Sequence, residues 1–244
     1  LACGAFGLGR LADLDTIIER VKNHFNQLQD LQGLRILVTA GPTHEPLDPV
    51  RYISNPSSGK MGYAVAERAK ARGAEVVLIS GPTYLNPPAG VKFESCKTAA
   101  DMNSLVQKNF SECDVLVMSA AVGDFTVEKL EKEKIKKQGK EGWTLKLVAT
   151  KDILMEASKI KTRQFVVGFA AETQNLIESA LEKLRKKKLD LIVANDISAP
   201  GIGFQSDNNQ VTLIDSYEKI ENLPRMTKKE IANILLDKIS CAKG

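Results

Sequence analysis

The chain has 244 residues, 43% of them hydrophobic and 26% charged, with 34 Lys and Arg against 30 Asp and Glu for a net charge of +4. That is the mix of an ordinary globular protein with length for one large core, and no apolar run reaches the ~20 residues of a membrane span. Aromatics are only 5% of the chain, and in VEKLEKEKIKKQGKEG lysine alternates with glutamate instead of forming a one-sign face with interleaved aromatics, so neither a nucleic acid nor a membrane is an expected partner.

In chain order, residues 11–30 (LADLDTIIERVKNHFNQLQD) carry Leu14, Ile17, Ile18, Val21 and Phe25 on one stripe, which predicts an amphipathic helix broken at Gly33. A β-rich unit opens with RILVT at Arg35, a helix is expected over 61–72, and the apolar run GAEVVLIS follows at 73–80. VKFES at 91–95 reads as another strand, 99–109 as a helix, and CDVLVMSAA at 113–121 as a strand that leaves into a charged loop reaching to about residue 141. WTLKLV at 143–148 is strand-like, DILMEAS starts a helix, and RQFVVGFAAET at 163–173 is a buried strand. A helix at 175–188, the run LDLIVAND at 189–196, QVTLID at 210–215 and a terminal helix at 227–239 complete the pattern.

Short apolar runs alternating with helices predict β-α-β units. The expected fold is α/β: a Rossmann-like three-layer sandwich with a mostly parallel sheet, helices on both faces and a lysine-rich flap. The runs end in TAGPT, ISGPT, SAAVGD, GFAAET and ANDIS, and ligands of doubly wound sheets sit beyond such carboxyl ends. Cys3, Cys96, Cys113 and Cys241 are scattered without a C-x-x-C pair, so neither a zinc site nor a disulfide framework is expected, and a reducing cytoplasmic setting is. No basic-then-apolar leader is present. The chain begins at Leu1 without methionine, which suggests a piece of something longer.

The stretch RYISNPSSGKMG invites a phosphate-loop reading that its spacing denies. Met61 follows Gly59-Lys60 where a magnesium-binding hydroxyl is needed, and Ser54 stands where the first glycine should. A dinucleotide fingerprint also fails, because Gly41 and Gly59 lie 18 positions apart, and no Tyr-x-x-x-Lys pair is present. Two readings stay open for Ser57, Ser58 and Gly59. They hold an anion with free N–H groups at a helix start, or the serines cap the helix and the glycines pack it on the sheet.

The ordered set GPTHEPLDPVRYISNPSSGKMG, SAAVGDF, KIKK, GFAAET, LIVANDIS and GFQSDNN, from Leu34 to about Lys238, closely resembles phosphopantothenoylcysteine synthetase. LACGAFGLGR resembles the tail of the flavin-dependent phosphopantothenoylcysteine decarboxylase that bacteria fuse ahead of this ligase. The resemblance implies a decarboxylase tail and linker helix over 1–33 and a ligase domain over 34–244. Cys3 would be the decarboxylase proton donor, inactive here, with FMN only in the missing half. It also implies a CTP-dependent ligase of coenzyme A biosynthesis. That ligase joins 4′-phosphopantothenate to L-cysteine through an acyl-cytidylate, with magnesium carried by CTP, no dedicated metal side chains, a homodimer and a fused decarboxylase domain. The alternative is an NAD(P)-binding Rossmann oxidoreductase.

By the same resemblance, Lys134 supports acyl-cytidylate formation, and Asn55 and Arg51 serve the attack by cysteine, with Ala121 beside them. Met118, Ser119, Ala120, Asp124 and Lys151 to Leu154 (with Asp152 and Ile153) would contact the nucleotide. Phe169 would lie against the base, and Lys183 and Lys187 would face the nucleotide together one helical turn apart. Ser57, Ser58 and Gly59 are the phosphate candidates. Two departures from the family pattern stand out, Ala5 for an acidic residue and Pro56 for a histidine. His44 and His24 read as structural.

Overall fold

The computed structural model describes residues 13–18, 29–137, 142–172, 175–196 and 205–243. Its centre is an eight-stranded sheet in the order β13-β12-β10-β9-β6-β1-β4-β5. The inner strands are β1 (Arg35–Ala40), β4 (Glu75–Ser80), β6 (Val115–Met118), β9 (Phe165–Glu172) and β10 (Leu191–Asp196), with β5 (Lys92–Ser95) at one edge. These six run parallel. The other edge departs from the parallel pattern: β12 (Val211–Asp215) is antiparallel to β10, and β13 (Ile220–Asn222) is antiparallel to β12.

Because both faces of the inner strands are covered, their sequences are continuous apolar runs whose side chains divide by alternation. Ile36, Val38, Ala40, Val115 and Val117 face one core with helices α1 (Lys60–Ala71) and α5 (Lys228–Lys243). Leu37, Leu116 and Met118 face the other, with α2 (Ala99–Phe110), α3 (Ile153–Ile160) and α4 (Leu176–Lys186). The expected three layers and mostly parallel sheet are present.

Three short two-stranded ribbons were not anticipated from sequence. β2 (His44–Pro46) pairs with β3 (Tyr52–Ser54), β7 (Phe125–Val127) with β8 (Leu147–Ala149), and β11 (Asn208–Asn209) with β14 (Met226–Thr227). WTLKLV thus contributes only its end to a strand. The β7–β8 ribbon forms the base of the lysine-rich excursion. The helix predicted over 11–30 falls largely outside the described residues. Residues 14–18 are helical, but 30–33 form turns. Cys3 and His24 lie outside the described residues.

That turn is bolted to the domain. Leu31 is fully buried in the core. Arg72, 4% exposed at the end of α1, ion-pairs with Asp30 and with Asp237 of α5 at 2.7 Å, and donates to the Asn233 carbonyl at 3.2 Å. Arg72→Met leaves two carboxylates facing each other, and the unfolding free energy is expected to fall by about 3 kcal/mol, the low end for a broken buried pair because both acids keep some water. Urea titration measures it. A loss below about 1 kcal/mol would class the cluster with solvent-screened surface pairs.

Candidate active site

A cavity of about 600 Å³ opens where the carboxyl ends of β1 and β6 part. The strand order reverses between these two strands, since β4 and β5 extend one way and β9 and β10 the other, and this is where doubly wound sheets bind ligands. The loops leaving the two strands are sewn together. Ser119 Oγ donates to the Thr39 carbonyl at 2.8 Å, Ala120 N to Thr39 Oγ1 at 3.2 Å, and Ala121 N to the Gly41 carbonyl at 2.9 Å. Gly123 N donates to Thr43 Oγ1 at 2.8 Å, and Thr150 Oγ1 to the Gly123 carbonyl at 2.7 Å.

Asn55 follows β3 and reaches across this seam. Its Nδ2 donates to the carbonyls of Ala121 at 3.3 Å and Val122 at 3.0 Å. Both amide hydrogens are thereby committed, which fixes the side chain and turns Oδ1 away from the two carbonyls as an acceptor.

Helix α1 begins at the cavity, and its start has no side-chain cap. Gly59 occupies the N-cap position at φ 77°, while Ser57 Oγ accepts from Gly59 N at 3.3 Å. The serine-cap reading therefore does not hold, whereas the glycine-packing one does. A Cβ on Gly62 would lie 2.6 Å from both Ala40 Cβ and Ser119 Oγ, so only glycine lets α1 approach the ends of β1 and β6 this closely. Uncapped N–H groups of α1 thus face the lining formed by Ser57, Gly59, Lys60 and Met61. Lys60 Nζ bonds Asp207 Oδ1 at 2.6 Å and the Gln205 carbonyl at 3.0 Å, which holds the QSDNN segment against the helix start.

The far wall is built by α3, α4 and β9. Asp152 caps α3 by accepting from Met155 N at 3.0 Å and ion-pairs with Lys187 at 2.8 Å. Burial pushes the Asp152 carboxyl up, but Lys187 and the Met155 N–H outweigh it and hold the group below its ordinary range.

Most of the residues singled out in the sequence converge here. Asn55, Ala121, Ser57 and Gly59 line the cavity on the α1 side, and Met118, Ser119, Ala120 and Asp124 line the β6 end. Lys151, Asp152, Ile153 and Leu154 line the α3 start, with Phe169, Lys183 and Lys187 behind them. Ser58, Arg51 and Lys134 are outside the described lining. The Arg51 guanidinium turns instead to Asp48, to the Ile135 carbonyl at 2.8 Å and to the Trp143 ring at 4.8 Å, while Lys134 is exposed beside Ile135.

His44 stacks on Tyr52 with ring centroids 3.8 Å apart, and burial and Lys97 hold its imidazole below the ordinary value, in keeping with a structural part. Sequence reasoning missed Thr150, Asn195 and Lys228 in the lining. Nothing local signals the last two, which meet the cavity only through the packing of β10 and α5. Asn195 Oδ1 is buried with no hydrogen-bond partner among the described residues, leaving an acceptor in the cavity wall. Asp48 was also missed, although D-P-V-R carries the signal of a side-chain-stabilised turn.

Fold and cavity together define the class: an open doubly wound α/β protein that takes its ligand at the switch point. The profile of the DNA/pantothenate metabolism flavoprotein C-terminal domain matches residues 31–242, and the chain belongs to that family. It is 46% identical over 242 residues to the coenzyme A biosynthesis bifunctional protein CoaBC of Escherichia coli (strain K12), covering 98% of this chain and 59% of that protein. With CoaBC of Bacillus subtilis (strain 168) it shares 44% identity, covering 98% of this chain and 60% of that one. The chain thus spans about three fifths of these relatives. Among solved structures, the C-terminal domain of a CoaBC superposes with a TM-score of 0.76 at 42% identity, over 88% of this chain and 97% of that one. A Cab2 mutant in complex with phosphopantothenate-cysteine shares the fold, with a TM-score of 0.66 at 18% identity over 96% of this chain and 97% of its own.

Proposed function

We propose that the chain is the ligase unit of a bifunctional coenzyme A biosynthesis protein, joining 4′-phosphopantothenate to L-cysteine at the expense of CTP. The observation that carries this reading is the convergence of six separated motifs on one switch-point cavity, in a family whose relatives are named for coenzyme A biosynthesis. The phosphopantothenate-cysteine bound to the related fold is the product such a ligase would make. A domain boundary near residue 34 fits the family match, which begins at residue 31. FMN and the decarboxylase would belong to the preceding half, of which residues 1–33 are the tail. The setting would be cytoplasmic and the assembly a homodimer. Among the described residues, no helix is long and apolar enough to cross a membrane.

In this reading the carboxylate of phosphopantothenate attacks the α-phosphorus of CTP. A P–O bond to the anhydride breaks, pyrophosphate leaves and an acyl-cytidylate remains. The amine of cysteine then attacks the acyl carbon, the C–O bond to CMP breaks, and the amine proton passes to solvent. Lys134 would meet the charge that grows on the phosphates. The uncapped start of α1, with Ser57, Ser58 and Gly59, would hold a phosphate. Lys183 and Lys187 would line the nucleotide, Phe169 the base, and Asp124 a ribose hydroxyl. Asn55 and Arg51 would serve the attack by cysteine. Magnesium, which would neutralise the triphosphate, requires little from the protein. No group of three or more His, Cys, Asp or Glu side chains gathers among the described residues, and a triphosphate with water supplies the oxygen ligands this ion prefers.

Mixing the protein with CTP, phosphopantothenate and cysteine should release pyrophosphate. No release, together with tight NADPH binding, would favour the Rossmann oxidoreductase instead.

Lys228 adds a pH signature. Burial, with help from Lys60, pushes its ammonium down to about 8, while Asp207 opposes. The cation is present below that pH and lost as pH rises through it, so the cavity wall holds an anion less well in alkali. One charge-assisted hydrogen bond at about 1.5 kcal/mol predicts a roughly tenfold rise in KM for phosphopantothenate between about pH 7 and 9. Lys228→Gln should flatten the profile. A profile that keeps its slope in this variant would remove Lys228 from ligand contact.

A further inference from the structure

Asp48 is a buried carboxylate, 2% exposed, and it spends its two oxygens on different tasks. Oδ1 accepts from Val50 N at 2.9 Å and Arg51 N at 2.8 Å, closing the turn between β2 and β3. A turn of this kind requires no more than that. Oδ2 accepts from Arg51 Nε at 3.0 Å and Nη2 at 2.5 Å, and also from Ile135 N at 3.2 Å, 87 residues away in the lysine-rich excursion.

Arg51, oriented in this way, holds the excursion on both limbs. Its Nη2 donates to the Ile135 carbonyl at 2.8 Å on the outgoing limb, and its guanidinium lies over Trp143, 4.8 Å from the centroid, on the returning limb. Glu131 N adds a bond to the Leu47 carbonyl at 3.2 Å. Residues 131, 135 and 143 are therefore pinned to one turn, and exposed Lys134 sits between the pins. A carboxylate is expensive to bury unless its bonds are used. Here the surplus bonds are all directed at the excursion.

We propose that Asp48 is a positioning residue that clasps the base of the excursion through Arg51 and Ile135, and so places Lys134 for the nucleotide-consuming step. The inference rests on the role given to Lys134 under the ligase reading. Three measurements on the full chain test it. Asp48→Asn keeps the shape of the side chain but sets an amide donor against donors. Pyrophosphate release is expected to slow at least tenfold, and the double variant with Lys134→Gln should be no slower than Lys134→Gln alone, because both changes remove the same contribution. Additive losses would mean that Asp48 acts only through general stability, and would overturn the proposal. Trypsin should cut between Lys132 and Lys137 about tenfold faster in Asp48→Asn than in the unaltered protein.

Ile135→Pro deletes the N–H that meets Asp48 while leaving the buried Asp48–Arg51 pair in place, so it carries the test even if Asp48→Asn folds poorly. Faster cutting and slower pyrophosphate release are expected of it too. Wild-type cutting in Ile135→Pro would sink the clasp. Should the unaltered protein release no pyrophosphate, the ligase reading falls by itself, and the cleavage comparison still decides whether the clasp exists.

Discussion

Lys134→Gln is expected to slow acyl-cytidylate formation by roughly 10²–10³-fold, the loss that follows removal of one preorganised donor to a developing oxyanion. Lys134 is exposed, so the substitution leaves the core intact, and circular dichroism and melting temperature should be unchanged. The defect should appear in the first half-reaction. Pyrophosphate released from CTP and phosphopantothenate without cysteine would fall with the same factor as overall turnover. A variant that forms the intermediate at the normal rate would show that the charge on the phosphates is met elsewhere, with Lys183 and Lys187 in the cavity wall the next groups to replace.

Asn55→Asp is expected to fail at the other step. Nδ2 now donates to the Ala121 and Val122 carbonyls at 3.3 and 3.0 Å, and a carboxylate in its place would confront two carbonyl oxygens. The side chain would swing away and the acyl group would lose its orientation toward the cysteine amine. A misplacement of about 1 Å is worth roughly 10²-fold in rate. The first half-reaction should proceed, so pyrophosphate is released in a burst equal to the amount of protein and acyl-cytidylate accumulates on quenching. If Asn55→Asp and Lys134→Gln stall at the same step, the assignment of separate half-reactions to the two residues is wrong.

The inner sheet was legible because a parallel strand covered on both faces must be apolar throughout, and RILVT, EVVLIS, VLVM and LIVAN are. The β2–β3 ribbon was not, since HEP and YIS are three residues each and prolines interrupt any alternation. β12 was read as a strand but its direction was not, because apolar content records burial and not polarity along the sheet. For the site, the endings of the apolar runs pointed to the cavity, which is where strand ends meet by topology. Arg51 shows the limit. Its place in the motif was visible, but its guanidinium is aimed by Asp48, by a carbonyl 84 residues away and by an indole, and none of that is local.

The Arg72 anchor has a practical corollary. It fixes Asp30 and Leu31 at the amino-terminal rim of the sheet, beside the first residue of β1, while the cavity opens at the carboxyl rim, one strand or about 20 Å away. Polypeptide joined ahead of Gln29 is thus tethered at the pole opposite the mouth. A surface-immobilisation tag placed there would leave the mouth pointing into the flow, so nucleotide and cysteine could be titrated onto captured protein without the tether standing in their way.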